Sequence, residues 1–421
     1  MNVLITPGPL SGSVVVPPSK SQTHRAIIAA ALAKGKSVIN NVVMSEDIQA
    51  TVSAMEKIGV KIVNNGTHLI VNGVSRVMIS DDNFIDCNES GSTLRFVLPI
   101  MSLSRDKVVF TGKPGLMKRP MAVYETLFKA HGLSYQQNEK SIIVSGALTP
   151  GLYEVPGSVS SQFLSGLMFA LPLLKGDSEI RVTDPLESKD YVDMTIDMLH
   201  RFGVTVEERG TSYQIRGNQT YSPANITIEG DHSQMAFFAV AGILSGDIFC
   251  RNIVPISLQP DRRILDVIRA MQGAFEIRDA GILFKKTATV GCVVDVSQCP
   301  DIAPIIAVLG AYSQGTTVIE NAQRLKLKES NRLQSTYDIL RGLGADIEMT
   351  ESSLIIRGNP LLEGGAIDPA PDHRIVMSAA IAATRCLKPV HIKHAEAVNK
   401  SYPNFFNDFK TVGGEIAVLE D

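Results

Sequence analysis

A repeat of about 70 residues, running six times through the chain, constrains the fold more than any other feature. Amphipathic helices, each closed by glycine and followed by a short alternating strand, are predicted over 47–58 before Gly59, 121–131 before Gly132 and 191–202 before Gly203. They return over 262–272 before Gly273, 331–343 before Gly344 and 404–412 before Gly413-Gly414. Each glycine stands where a helix C-terminus needs a left-handed residue.

A second series of helices alternates with the first, at 26–33, 94–103, 163–174, 234–244, 302–312 and 375–384. These are apolar nearly all round, so they are buried. Polar leaders introduce them: Ser21-Gln22-Thr23-His24-Arg25, Ser90-Gly91-Ser92-Thr93, Ser160-Ser161-Gln162, Gly230-Asp231-His232-Ser233, Cys299-Pro300-Asp301 and Asp372-His373-Arg374. One buried helix, one surface helix and several strands per repeat predict an α/β (α+β) chain. Pro17-Pro18-Ser19 and Gly230-Asp231 are the expected crossings between two lobes of three repeats, one from 19–230 and the other from 1–18 plus 231–421. The crossings fall beside leaders, so the leaders are expected to line an interlobe cleft. As ordinary N-caps they carry no function; converging on one cavity, their positive dipole ends would bind anions.

The cations favour the second reading. Residues 324–332 hold Arg324, Lys326, Lys328, Arg332 and one carboxylate, Glu329. The run alternates like a strand end up to Lys328 and then enters a helix predicted over 330–343. A charge run on its own is usually a solvated face, but charges at such a junction point into a cleft. Lys20 opens a buried helix against its dipole, which calls for an anionic ligand. His24 beside it is expected to be packed or at the surface. Arg119 ends the loop 113–120, and Asp301 is a good cap that becomes a base only beside a substrate hydroxyl.

Composition narrows the classes. A net charge of −3 and no Trp exclude a basic, base-stacking nucleic-acid surface. Five cysteines without paired spacing fit reduced thiols in a cytoplasm, and no Cys/His cluster has metal-ligand spacing. No signal peptide is evident at the N-terminus, and the longest apolar stretches, such as 163–174, are too short for a bilayer.

With these motifs in hand, the chain closely resembles the EPSP synthase family of enolpyruvyl transferases over essentially its whole length. The resemblance rests on Ser19-Lys20-Ser21 with Arg25, the 91–95 segment, Lys118-Arg119-Pro120, Ser160-Ser161-Gln162-Phe163, Lys328-Glu329 with Arg332, and Asp372-His373-Arg374. It implies a two-lobed inverse α/β barrel of six βαβαββ units. It also implies a 3-phosphoshikimate 1-carboxyvinyltransferase, working without metal or cofactor as a cytoplasmic monomer. The implied catalytic residues are Lys20, Asp301 and Glu329. Shikimate 3-phosphate would be held by Lys20, Ser21, Arg25, Ser160, Ser161, Gln162, Ser188, Tyr191, Asp301, Arg324 and Lys328. Phosphoenolpyruvate would be held by Lys20, Gly91, Arg119, Gln162, Glu329, Arg332, Arg374 and Lys400. Small room beside Gly91 implies inhibition by glyphosate, and lobe closure would exclude water. Three residues depart from the family pattern: Phe96 where Pro is frequent, Asn331 where Asp is common, and Arg324 where Asn is common. The alternatives are the sister transferase acting on UDP-N-acetylglucosamine and a non-catalytic anion-binding protein. The first usually carries Lys-Asn near its start and a loop cysteine, where this chain has Lys20-Ser21 and no cysteine in 113–119.

Overall fold

A computed structural model describes residues 1–80 and 82–419. The chain divides into two compact units, one of residues 18–228 and the other of residues 1–17 with 229–421. Each unit has its own apolar core.

In the 18–228 unit the helices are α1 (Lys20–Leu32), α2 (Glu46–Glu56), α3 (Gly91–Met101), the short α4 (Pro114–Met117), α5 (Ala122–Ala130), α6 (Ser161–Ala170) and α7 (Lys189–Arg201). The other unit holds α8 (His232–Leu244), α9 (Ile264–Ala270), α10 (Ala303–Ala311), α11 (Arg332–Gly342), α12 (His373–Ala383) and α13 (Phe405–Thr411). The helices predicted to be apolar all round are the buried ones: every residue of α8 and α10 is buried. Within their unit α8, α10 and α12 pack on one another, while α3 packs on α1 and α6 in the other.

Among the described residues, six four-stranded sheets share one pattern. In the sheet of Asn225–Thr227, Gly35–Asn40, His68–Gly73 and Lys61–Asn64, the first pair is parallel and the next two are antiparallel. The same parallel, antiparallel, antiparallel order holds in the other five. In four sheets a buried helix, α3, α6, α10 or α12, is the crossover of the parallel pair, and in five the antiparallel hairpin follows a surface helix. The βαβαββ order thus recurs with Gly12–Val15, Asn225–Thr227 and Asn2–Thr6 supplied from distant parts of the chain. The repeat is also stitched across the chain ends: Asn2–Thr6 is a central strand between Val390–Ile392 and Glu415–Leu419. Among the described residues no helix is long and apolar enough to cross a membrane.

Three local expectations are corrected. Gly59, Gly132, Gly203, Gly344 and Gly413 have positive φ as predicted, but in the fourth repeat Gln272 takes the left-handed position with φ 63°. Gly273 is there for space, since a Cβ would lie 2.7 Å from Ile268 Cγ2. Residues Gln323–Leu327 form a 3-10 helix and not a strand end. Leu325 is fully buried while Leu327 is 43% exposed, so the two leucines do not share the buried face a strand would need. Finally, α1 begins at Lys20 with Ser19 as its cap, which places the whole Ser21–Arg25 leader inside the helix.

Candidate active site

The predicted residues gather into two sets, one in each unit. In the 18–228 unit, Lys20 sits in the first turn of α1 and its Nζ lies 2.6 Å from Asp47 Oδ2 at the start of α2. The dipole penalty on Lys20 is therefore met in part by an internal carboxylate, and Asp47 is a site residue the sequence did not reveal. Its only sequence signal, an acid in the first turn after the Ser45 cap, is also the most ordinary one.

Arg25 is 2% exposed. Its Nε donates to Thr195 Oγ1 (2.8 Å), Nη1 to Ser21 O (2.8 Å) and Nη2 to Tyr191 O (2.9 Å). Burial pulls its pKa down to about 10, against a partial offset from Tyr191, and it remains a cation at neutral pH. Phe96 lies under its guanidinium, 5.0 Å from ring centroid to Cζ. The departure from Pro at that position thus supplies an aromatic floor for Arg25. Tyr191 and Ser188 open α7, with Ser188 in the left-handed region at φ 57°.

Gly91 begins α3, and Ser90 Oγ caps it by accepting from Thr93 N. A Cβ on Gly91 would stand 2.7 Å from Arg119 Nη1 and 3.0 Å from Arg95 Nη1, so both guanidinium groups crowd this helix start. Gln162, in the first turn of α6, ties the group together by accepting from Arg95 Nη1 (2.8 Å) and donating to Ser92 Oγ (2.9 Å). Ser160 caps α6 and Ser161 is buried at its first position.

The other unit concentrates charge. Asp301, in a 3-10 turn ahead of α10, faces Lys328 Nζ at 3.0 Å, Arg332 Nη1 at 2.9 Å and Arg374 Nη2 at 3.1 Å. Burial alone would raise its pKa, but Arg374, Lys328 and Arg332 outweigh that and hold the carboxyl well below the usual range. The Lys328 pKa is lowered as well, mainly by burial, with Asp301 offsetting part of the shift. Arg332 is 1% exposed and pairs with Asp301, with Glu329 Oε2 at 2.6 Å and with Asp372 Oδ2 at 2.8 Å. Lys400 Nζ is 3.9 Å from Glu329 Oε1, and Arg374 Nη2 also donates to Ser233 Oγ at 3.1 Å. Arg324 is buried nearby and adds to the field on Lys328. The cations Arg324, Lys328, Arg332, Arg374 and Lys400 exceed the carboxylates Asp301, Glu329 and Asp372 by two charges, an excess that a dianion would neutralise. Asp372 and Ser233 belong to this set although sequence assigned them only capping or leader roles.

Desolvated, forked cations at helix starts, beside carboxylates that share Arg332, equip the chain for group transfer between small anions. The enolpyruvyl transferase NikO from Streptomyces tendae has the same fold, with a TM-score of 0.80 at 16% identity over 99% of this chain and 98% of that one. An EPSP synthase structure from Acinetobacter baumannii matches at TM-score 0.84 and 26% identity, covering 99% of this chain and all of that one. The family model for EPSP synthase (3-phosphoshikimate 1-carboxyvinyltransferase) matches residues 4–409. Relatives named 3-phosphoshikimate 1-carboxyvinyltransferase are 45% identical in Clostridium novyi (strain NT), over 99% of this chain and 98% of the relative, and 44% identical in Clostridium acetobutylicum, over 98% of each. The chain belongs to the EPSP synthase family.

Proposed function

We propose that this protein transfers the enolpyruvyl group of phosphoenolpyruvate to the 5-hydroxyl of shikimate 3-phosphate, releasing phosphate in the biosynthesis of aromatic amino acids. The observation that carries this is near-full-length identity of 45% to relatives of that name. In the proposed mechanism the 5-hydroxyl oxygen adds to C2 of phosphoenolpyruvate while a proton is delivered to C3. Loss of a C3 proton then expels phosphate and restores the double bond. Asp301 takes the hydroxyl proton, and Glu329 with Lys20 moves the proton at C3. Tied to three cations, Asp301 is a weak base; substrate anions that draw those cations away raise its basicity when it is needed. Arg25, Ser160, Ser161, Ser188, Tyr191, Arg324 and Lys328 serve the shikimate substrate, joined by Ser21. Gly91, Arg119, Arg332, Arg374 and Lys400 serve phosphoenolpyruvate, with Gln162 adjoining both.

The test is phosphate release from phosphoenolpyruvate with shikimate 3-phosphate and, in parallel, with UDP-N-acetylglucosamine. Release with the shikimate alone is the expected result; release with the nucleotide sugar alone would overturn the acceptor.

A methyl group on Gly91 must displace the ends of Arg119 and Arg95, which are flexible, so Gly91→Ala should fold normally. We expect its KM for phosphoenolpyruvate to rise about tenfold. Glyphosate should inhibit the parent at submillimolar concentration and lose potency against the variant. Insensitivity of the parent at millimolar glyphosate would remove the proposed room beside Gly91.

A further inference from the structure

A buried chain of hydroxyls that no substrate role accounts for runs through the 18–228 unit. His24 Nδ1 lies 2.7 Å from Thr51 Oγ1, Thr51 Oγ1 lies 2.7 Å from Thr93 Oγ1, and the Thr93 hydroxyl donates to Ser90 Oγ at 2.7 Å. All four residues are at most 1% exposed. The chain joins the middle of α1 to α2 and ends on the cap of α3. Thr93 also approaches the backbone carbonyl of Asp47 at 3.5 Å, and the Asp47 side chain holds Lys20.

Donor bookkeeping gives the chain a direction. Each hydroxyl has one proton. Thr93 spends its proton on Ser90, so the Thr51 proton must go to Thr93, and Thr51 Oγ1 must then accept from His24. His24 is therefore the Nδ1–H tautomer, with Nε2 a buried acceptor that has no partner. The opposite direction would bury an Nε2–H donor without an acceptor, the rarer and costlier defect. Burial pulls the His24 pKa down to about 3, so the ring is neutral and keeps one tautomer across physiological pH. At the far end, Ser90 Oγ takes the third amide of α3. By helix geometry the Gly91 and Ser92 amides have no acceptor within the helix.

We infer that His24 is a positioning residue for phosphoenolpyruvate, acting through Thr51, Thr93 and Ser90 to lock the α3 start with its first amides available to the anion. This rests on the proposed role of Gly91. A locked cap costs no reorganisation when the anion binds, which is where such a chain repays the unpartnered Nε2.

Nitrogen-15 NMR of histidine side chains tests the direction in the unmodified protein. One of the eight histidines should show the Nδ1–H form, unchanged between pH 6 and 8, and disappear in His24→Asn. An Nε2–H signal for His24 would overturn the inference. Kinetics test the consequence. Thr51→Val, which keeps the side-chain shape, and His24→Leu should raise KM for phosphoenolpyruvate about tenfold while KM for shikimate 3-phosphate moves less than about twofold. His24→Asn places an amide N–H near the Nδ1 position and should restore most of the loss. A Thr51→Val protein with a lowered Tm but an unchanged KM for phosphoenolpyruvate would make the chain merely structural. If Gly91→Ala raises that KM and Thr51→Val does not, the inference fails and the role of Gly91 stands; if neither does, both fail.

Discussion

Asp301→Asn is expected to lower kcat by a factor of about 10² to 10⁴, the range a positioned general base contributes. The amide keeps the volume of the carboxylate but cannot take a proton from an alcohol, and it presents an NH₂ to Lys328, Arg332 or Arg374. A separate signature follows from charge. A carboxyl whose pKa is held down in the folded state adds stability above its unfolded pKa of about 3.9, and that stability is lost as pH falls through the lower folded value. The stability gap between the parent and Asp301→Asn should therefore be constant from pH 7 to about pH 4 and narrow only below that. Any acid limb of kcat/KM between pH 5 and 7 belongs to another group. Steady-state kinetics and Tm against pH check both statements. A kcat within tenfold of the parent would remove Asp301 as the base and leave it as an electrostatic anchor for the three cations.

The repeat was legible because its signals are local. Apolar periodicity marks a buried helix, and a glycine past its end marks the left-handed turn, whatever the rest of the chain does. The fourth repeat shows the limit: Gln272 pays the cost of a left-handed non-glycine because Gly273, one residue on, is needed where Ile268 approaches. Cations at helix starts were legible too, since their position against the dipole is unusual. Their carboxylate partners were not. Asp47 is 27 residues from Lys20 and Asp372 is 40 from Arg332, and each looks like a routine helix-start acid until the sheets bring the segments together. The hydroxyl chain was hidden for the same reason, since Thr51 and Thr93 are unremarkable helix residues until α2 and α3 meet α1.

Asp372 carries the second large effect. It is fully buried, and its Oδ2 accepts from Arg332 Nε at 2.8 Å and from the Ser330 hydroxyl at 3.1 Å. Its Oδ1 accepts from the Arg374 amide at 3.0 Å as the cap of α12, and from Arg332 Nη2 at 3.3 Å. One carboxylate therefore orients Arg332 and fixes the helix that bears Arg374. Asp372→Ala removes the cap, typically about 1 kcal/mol. It also strips a buried guanidinium of its most enclosed partner, a change that costs about 3–5 kcal/mol when a buried charge is left uncompensated. Asp301 and Glu329 still face Arg332, so the lower end applies, and urea unfolding should show a total loss of about 4 kcal/mol with the cap included. Asp372→Asn keeps a good cap and one acceptor oxygen, so it should lose less stability while still loosening Arg332, seen as a KM for phosphoenolpyruvate raised about tenfold. Equal stability losses in the two variants would show that the α12 cap contributes little. A loss below about 1 kcal/mol in Asp372→Ala would mean that Asp301 and Glu329 hold Arg332 without it.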